Sequence, residues 1–192
     1  MSGAHGAPKF LVQRQVVFPG ARYGPSVMAE MFREYRYVVD RDGRVFHDGT
    51  EVVDPLVLRF FLRAMTRTAE GRYLVLCQGE RNWFEAHDTP FVVQRLRLSL
   101  DGDVLQDAEL CFSGDYREAL DPDDLETERD LLYCHARRGA FRARFGRLAM
   151  QQLAPFLTAT SEGSALVMRG IAHPIRTLPS APRADHQRSP LV

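Results

Sequence analysis

The stretch "TAEGRYLVL" (68–76) recurs in loose form as "TSEGSALVM" (160–168), with Thr, Glu, Gly, Leu and Val at matching places. Each copy joins a helical pattern to a strand pattern. Before the first copy, "REYRYVVDRDGRVFHDG" (33–49) alternates Tyr35, Tyr37 and Val39 with Arg36, Val38 and Asp40, the period of a half-buried strand. "RDGR" within it marks a hairpin turn, because Gly43 can take φ > 0. "VVDPLVLRFFLRAMTRTAEG" (52–71) then puts Asp54 at a helix N-cap and Pro55 at N1: the aspartate accepts from orphan N–H groups, and proline has none to leave unpaired. Val57, Phe60, Phe61, Ala64 and Met65 form one apolar stripe, and Gly71 ends the helix. Strands are predicted next at 72–78, 82–88 and 91–100, and "DGD" (101–103) turns into another at 104–112.

The order returns after an acidic loop. "LLYCHARRGAFRARFG" (131–146) reads as a hairpin turning at Gly139. "LAMQQLAPFLTATSEG" (148–163) reads as a helix with Ala149, Leu153, Phe156 and Leu157 on one stripe, kinked or shortened by Pro155. "SALVMRGIAHPIRTL" (164–178) gives two strands. A repeated β-β-α-β-β order at one offset predicts an internal duplication: an α+β fold of two similar lobes, each an antiparallel sheet packed by one helix. The first lobe is set at 31–103 and the second at 104–178. Residues 1–30 read as a partly disordered N-terminal extension with a short strand at 10–18, and 179–192 as a disordered tail.

Composition narrows the function classes. The net charge is zero over 192 residues, so nothing global favours nucleic acid or an anionic membrane. Lys9 is the only lysine among the 25 Lys and Arg, the balance a GC-rich genome writes. No apolar run approaches the length of a membrane span, and "MSGAHGAPKF" lacks the charged-then-apolar layout of a secretory signal. Cys77, Cys111 and Cys134 are odd in number and form no CxxC pair, which suits a reducing compartment. A cytoplasmic location is expected.

"LCQGERNWFEAHDTPF" (76–91) holds the densest chemistry: Glu80, Arg81, Asn82, Glu85, His87 and Asp88 between Gly79 and Pro90. On a strand, Trp83, Glu85 and His87 face one way and Asn82, Phe84 and Ala86 the other, so these polar groups do not converge. The place of Glu80 and Arg81 in the second unit, "RGIAHPI" (169–175), carries neither at its turn, so folding such a unit does not require them. Glu80 and Arg81 are therefore candidate ligand-binding residues, set against the plainer reading of a hairpin with a local ion pair. In "AFRARFG" (140–146), Phe141, Ala143 and Phe145 should face the core, leaving Arg142 and Arg144 on the outer face. They read as a solvated edge paired with the acidic loop, or as an anion site, since arginine forks suit carboxylate and phosphate.

"His-Asp" occurs twice, at 47–48 and 87–88, beside turns rather than on packed helices, so turn roles are expected and no metal. His135 and His173 have no second ligand at helical spacing. Phosphate-loop, dinucleotide, nucleophile-elbow and zinc-helix motifs are absent, and the cysteines lack a basic partner.

Residues 35–49 together with "EGRYLVLCQGERNWFEAHDTPFVV" (70–93) resemble two uncharacterised families, domain-of-unknown-function families 4505 and 1285. The first is also called uncharacterised protein family 0598, and its eukaryotic members look mitochondrial. Gly79, Glu80, Arg81 and Asn82 resemble the glycine-glutamate-arginine-asparagine segment of the first. Glu80, Asp88, Pro90, Phe91 and Val92 resemble the spacing of the second, as does "YCHARRGAFRARFGRLAMQQL" (133–153) its C-terminal half. The resemblance implies a two-lobed α+β fold over 33–177 and brings no established activity.

The expected function is a non-enzymatic module binding a protein partner or a small anionic ligand between the lobes, with no cofactor, nucleic acid or membrane. Two alternatives stand beside it: a hydrolase or transferase using Glu80, Arg81, Glu85 and His87, and an accessory subunit with no ligand of its own. Oligomeric state is left open.

Overall fold

A computed structural model describes residues 33–161 and 163–179. The strand read at 10–18, the extension before it and the tail from 180 lie outside the described residues.

The first hairpin forms as its alternation predicts. Strands β1 (Glu34–Val39) and β2 (Val45–His47) pair antiparallel, followed by the short β3 (Thr50–Glu51). Asp40 holds the turn by accepting from the Asp42 and Arg44 N–H groups at 2.8 and 2.9 Å, while Gly43 takes φ 77°. Helix α1 (Pro55–Ala64) starts where the capping chemistry puts it, with the Asp54 carboxylate accepting from Leu56 N and Val57 N. It ends at Ala64 rather than at Gly71. The β-branched Thr66 leads into a strand, β4 (Thr66–Arg67), and the last carbonyls of the helix are taken from outside by the Arg137 guanidinium, which donates to Leu62 O and Met65 O. Gly71 instead closes the turn to β5 (Tyr73–Cys77). The buried stripe is also rotated: Phe61, Leu62 and Met65 are buried, while Val57 and Phe60 face outward. Only Arg59 and Arg63 interrupt the apolar character of this helix, so periodicity found Phe61 and Met65 but centred the stripe too far toward Val57 and Phe60.

A two-residue turn, Gln78-Gly79, both at positive φ, joins β5 to β6 (Glu80–Ala86). The six-stranded sheet runs β3-β2-β1-β6-β5-β4 with β1 and β6 parallel at its centre. Asn82 and Phe84 turn inward as their alternation requires, and Phe84 packs against Phe61 at 5.0 Å between ring centroids.

The segment read as one strand at 91–100 is two. β7 (Phe91–Val93) and β8 (Arg95–Asp101) belong to different sheets, separated by Gln94. The Gln94 side-chain amide donates to Asp42 O at 3.1 Å and to Ser113 Oγ at 3.2 Å, pinning the β1–β2 turn to the chain after β9 (Val104–Cys111). β8, β9 and β10 (Arg117–Ala119) form a three-stranded sheet. The free edge of β8 is covered by a side chain: Gln152 accepts from Leu96 N at 2.7 Å and donates to Leu96 O at 3.1 Å, as a neighbouring strand would.

The acidic stretch 115–130 is not a loop throughout. Besides β10 it supplies β11 (Glu126–Glu128), an interior strand of the seven-stranded sheet, with order β14-β15-β16-β11-β12-β13-β7. The hairpin of β12 (Leu131–Ala136) and β13 (Phe141–Phe145) turns at Gly139 as read. Helix α2 (Arg147–Leu153) stops before Pro155, a 3-10 turn covers 154–156, and Leu157 opens β14 (Leu157–Thr160) instead of continuing the helix stripe. β15 (Gly163–Met168) and β16 (Ile171–Thr177) close the order. The two larger sheets share one strand order, β3-β2-β1-β6-β5-β4 against β13-β12-β11-β16-β15-β14, each with three strands before its helix, three after it and a parallel central pair, β1–β6 and β11–β16. A single cluster of buried side chains runs from Val39 and Phe61 through Phe91 and Phe141 to Leu166 and Ile175, so all three sheets share one core.

Candidate functional site

The seven-stranded sheet has an apolar face carrying Phe91, Val93, Cys134, Ala136, Phe141, Ala143 and Phe145, all buried. Alternation puts Glu126, Tyr133, Arg142 and Arg144 on the opposite face, because cross-strand partners point the same way and Tyr133 is registered with both Glu126 and Arg144. Where this face meets the end of β6 and the β1–β2 turn, a groove of about 500 Å³ opens, lined by Arg41, His87, Asp88, Glu128, Arg129, Leu131, Tyr133 and Arg144. The parallel pairing of β7 with β13 makes the groove, because it carries His87 and Asp88, just before β7, across to Arg144.

Arg144 is the deepest charge in the lining, with its side chain 12% exposed. Its Nη2 donates to Arg41 O, and its Nε lies 3.4 Å from Asp88 Oδ2 at an angle that makes no hydrogen bond. Nη1 has no partner among the described residues. Asp88 accepts from Tyr133 Oη at 3.0 Å. Arg41 Nε lies 2.9 Å from His87 Nε2. An arginine can only donate, so that histidine nitrogen is the acceptor and the ring is neutral in this arrangement.

Arg142 shares the face but not the groove. Its Nε donates to Glu126 Oε1 at 2.7 Å and its Nη1 to Glu128 Oε2 at 2.6 Å, and the guanidinium lies 3.6 Å over the Tyr133 ring. Burial works against its charge, and the two glutamates outweigh that and hold it above the ordinary arginine value. Glu126, only 5% exposed, is also held by Arg176 Nη2 at 2.9 Å.

Glu80 and Arg81 lie at the other end of β6, roughly 20 Å from His87 along a strand of this length. Arg81 Nη1 pairs with Glu34 at 3.2 Å, both half exposed. Glu85 is exposed and projects from the outer face of the six-stranded sheet, away from Phe84 and α1. Of the four site residues read from the sequence, the fold therefore brings Arg142 and Arg144 together and leaves Glu80 and Arg81 elsewhere. Arg41, Asp88 and Tyr133 were missed as partners of Arg144. The His87-Asp88 pair beside Pro90 was visible, but nothing local tied it to β13.

The other histidines among the described residues are bound up locally. His47 Nδ1 lies 2.9 Å from Arg36 O, His135 pairs with Asp124 at 2.7 Å, and His173 with Asp123 at 2.6 Å. Among the described residues no group of three or more His, Cys, Asp or Glu could hold a metal ion, and no helix is long and apolar enough to cross a membrane. Burial pushes the Cys134 thiol strongly upward and the Cys111 thiol upward as well, which keeps both protonated and unreactive at neutral pH.

Burial, then the hydrogen bond to Asp88, push the Tyr133 phenol up to about 12. Burial and Glu118 do the same for Tyr116, also to about 12. Because the fold favours the protonated phenol, this contribution is complete below pH 10, the unfolded value, and is lost as pH rises toward about 12. Urea midpoints measured across that window should fall with rising pH, and Tyr133→Phe should reduce the slope. A flat profile would contradict this reading of the two phenols.

No family model matches the chain, and no curated protein matches it. Among solved structures it is similar to a DUF1285 family protein from Silicibacter pomeroyi DSS-3, at 18% identity and a TM-score of 0.57, over 77% of this chain and 83% of that one. A DUF1285 family protein from Shewanella baltica OS155 is similar at 14% identity and a TM-score of 0.45, over 58% of this chain and 84% of that one. The first likeness shows a shared fold. The resemblance to family 1285 is thus supported at the level of fold, and no comparison shows family 4505.

Proposed function

We propose that the chain is a DUF1285 family member acting as a non-enzymatic module that binds a small anionic ligand in the groove between the six- and seven-stranded sheets. The observation that carries this reading is Arg144, a nearly buried guanidinium whose Nε makes no hydrogen bond and whose Nη1 has no partner among the described residues, at the floor of a groove also lined by Arg41 and Arg129. A buried arginine with donors to spare is a costly arrangement that an anion relieves. The acid/base alternative gains no such support, because Glu80 and Arg81 are a strand's length from His87. An origin by duplication belongs to the same proposal; it is supported by the matching strand orders, in which β11, β12 and β13 take the places of β1, β2 and β3, and β14, β15 and β16 those of β4, β5 and β6. A cytoplasmic location accords with three cysteines that are all free.

A thermal-shift screen of phosphate, nucleotides and acyl anions tests it. A ligand at one hundred times its Kd adds about 2.7 kcal/mol, which moves the Tm of a chain this size by roughly 5–10 °C. The hit should shrink in Arg144→Lys, which keeps a charge but loses the fork. No hit, or a hit unchanged in the variant, would overturn the reading.

A further inference from the structure

We propose that the outward face of α1 is a docking surface for a second copy of this chain, joined across a two-fold axis with the two helices antiparallel. The surface does not depend on what the groove binds. Val53, Leu56, Val57 and Phe60 are all exposed, Val53 at 75% and Leu56 at 70%. Leu56 and Phe60 stand one turn apart on the side away from Leu62 and Met65, with Val57 beside them. Arg59 turns off this face by donating to Gly114 O, so no charge interrupts it between Asp54 and Arg63. A contiguous apolar patch of this kind marks a contact surface.

Charge identifies the occupant. Asp54 Oδ1 caps the helix by accepting from Leu56 N and Val57 N, while Oδ2 has no partner among the described residues. Arg63, exposed in the last turn, makes no hydrogen bond or ion pair among them either. The two stand at opposite ends of the helix, about 14 Å apart, and cannot meet within one chain. A copy turned about a two-fold axis between Leu58 and Arg59 sets each Arg63 opposite the partner's Asp54, and each Phe60 opposite the partner's Val57. The helix dipoles then oppose, and the surface is complementary to itself, as an isologous contact requires. A uniformly acidic or basic partner would satisfy one end and meet its like at the other. Size sets the strength. A helix of 10 residues is about 15 Å long, so the contact falls below roughly 1,200 Å² in total, and a Kd of about 10–100 µM is expected.

Sedimentation velocity of the full-length protein from about 1 to 500 µM should show a monomer passing into a dimer. Leu56→Asp puts a charge at the contact while suiting the first turn of the helix. It should raise Kd about tenfold or more, with the Tm of the dilute protein unchanged. Phe60→Ser should raise Kd to a similar degree. Arg63→Glu should raise it about fivefold and Arg63→Lys should leave it nearly unchanged, because a rim pair directs the contact more than it strengthens it. A monomer at every concentration would overturn the proposal, whatever then covers α1. So would a dimer that survives both Leu56→Asp and Phe60→Ser. A dimer weakened by those two but indifferent to Arg63→Glu would overturn the antiparallel pairing.

Discussion

Gly114→Ala is expected to destabilise the protein by about 3–5 kcal/mol, from the combined cost of a left-handed alanine and an overpacked contact. Gly114 has φ 66°, and a Cβ there would stand 2.5 Å from Arg59 N and 2.6 Å from Pro55 O, both backbone atoms of α1. Neither can swing aside as a side-chain tip would. The glycine also accepts from Arg59 Nε at 3.0 Å, so its turn is held against the first turns of the helix. The damage would reach the groove, since neighbouring Ser113 donates to Gly43 O in the turn that carries Arg41. A chemical denaturation curve reads the loss directly, and a Tm lower by roughly 10 °C should accompany it. A loss near the ~0.5 kcal/mol of a neutral surface change would mean the 113–115 turn moves away freely.

Glu126→Met should cost about 2–4 kcal/mol, somewhat less than removing one partner of a fully buried pair because Arg142 keeps some solvent contact. The substitution strips the acceptor from Arg142 Nε, and Arg142 Nη2 is already buried without a partner. Arg176 loses its contact at the same time. The double variant Glu126→Met/Arg142→Met should be more stable than Glu126→Met alone, because it removes the stranded guanidinium and leaves only Glu128, 23% exposed, to find water in place of Arg142. Additive losses would show that the two side chains are solvated independently. The same pair explains why Arg142 is a poor ligand residue: its donors serve the sheet.

Elements whose cause is local were legible in the sequence. Asp54-Pro55 announces a helix start with its own atoms, Gly43 and Gly139 announce turns, and Asn82 and Phe84 declare their face by alternation. Elements decided by distant partners were not. The end of α1 depends on Arg137, a residue far along the chain that takes the Leu62 and Met65 carbonyls. The break at Gln94 interrupts an unbroken apolar-alternating run, because the break serves hydrogen bonds to Asp42 and Ser113. β11 hides in an acid-rich stretch, because Glu126 is buried only by virtue of arginines at 142 and 176. For the same reason the sequence could place Arg142 and Arg144 on one face but could not separate their roles. One answers glutamates on β11, and the other answers Asp88, which a parallel strand pair brings over from the first sheet.

Whether an anion occupies the groove floored by Arg144 is read from a crystal grown with the anion that raises the Tm most. Density for that anion against the Arg144 guanidinium, with Asp88 still paired to Tyr133, is the expected result. Density elsewhere on the protein, or an empty groove at saturating anion, would overturn the assignment of this groove.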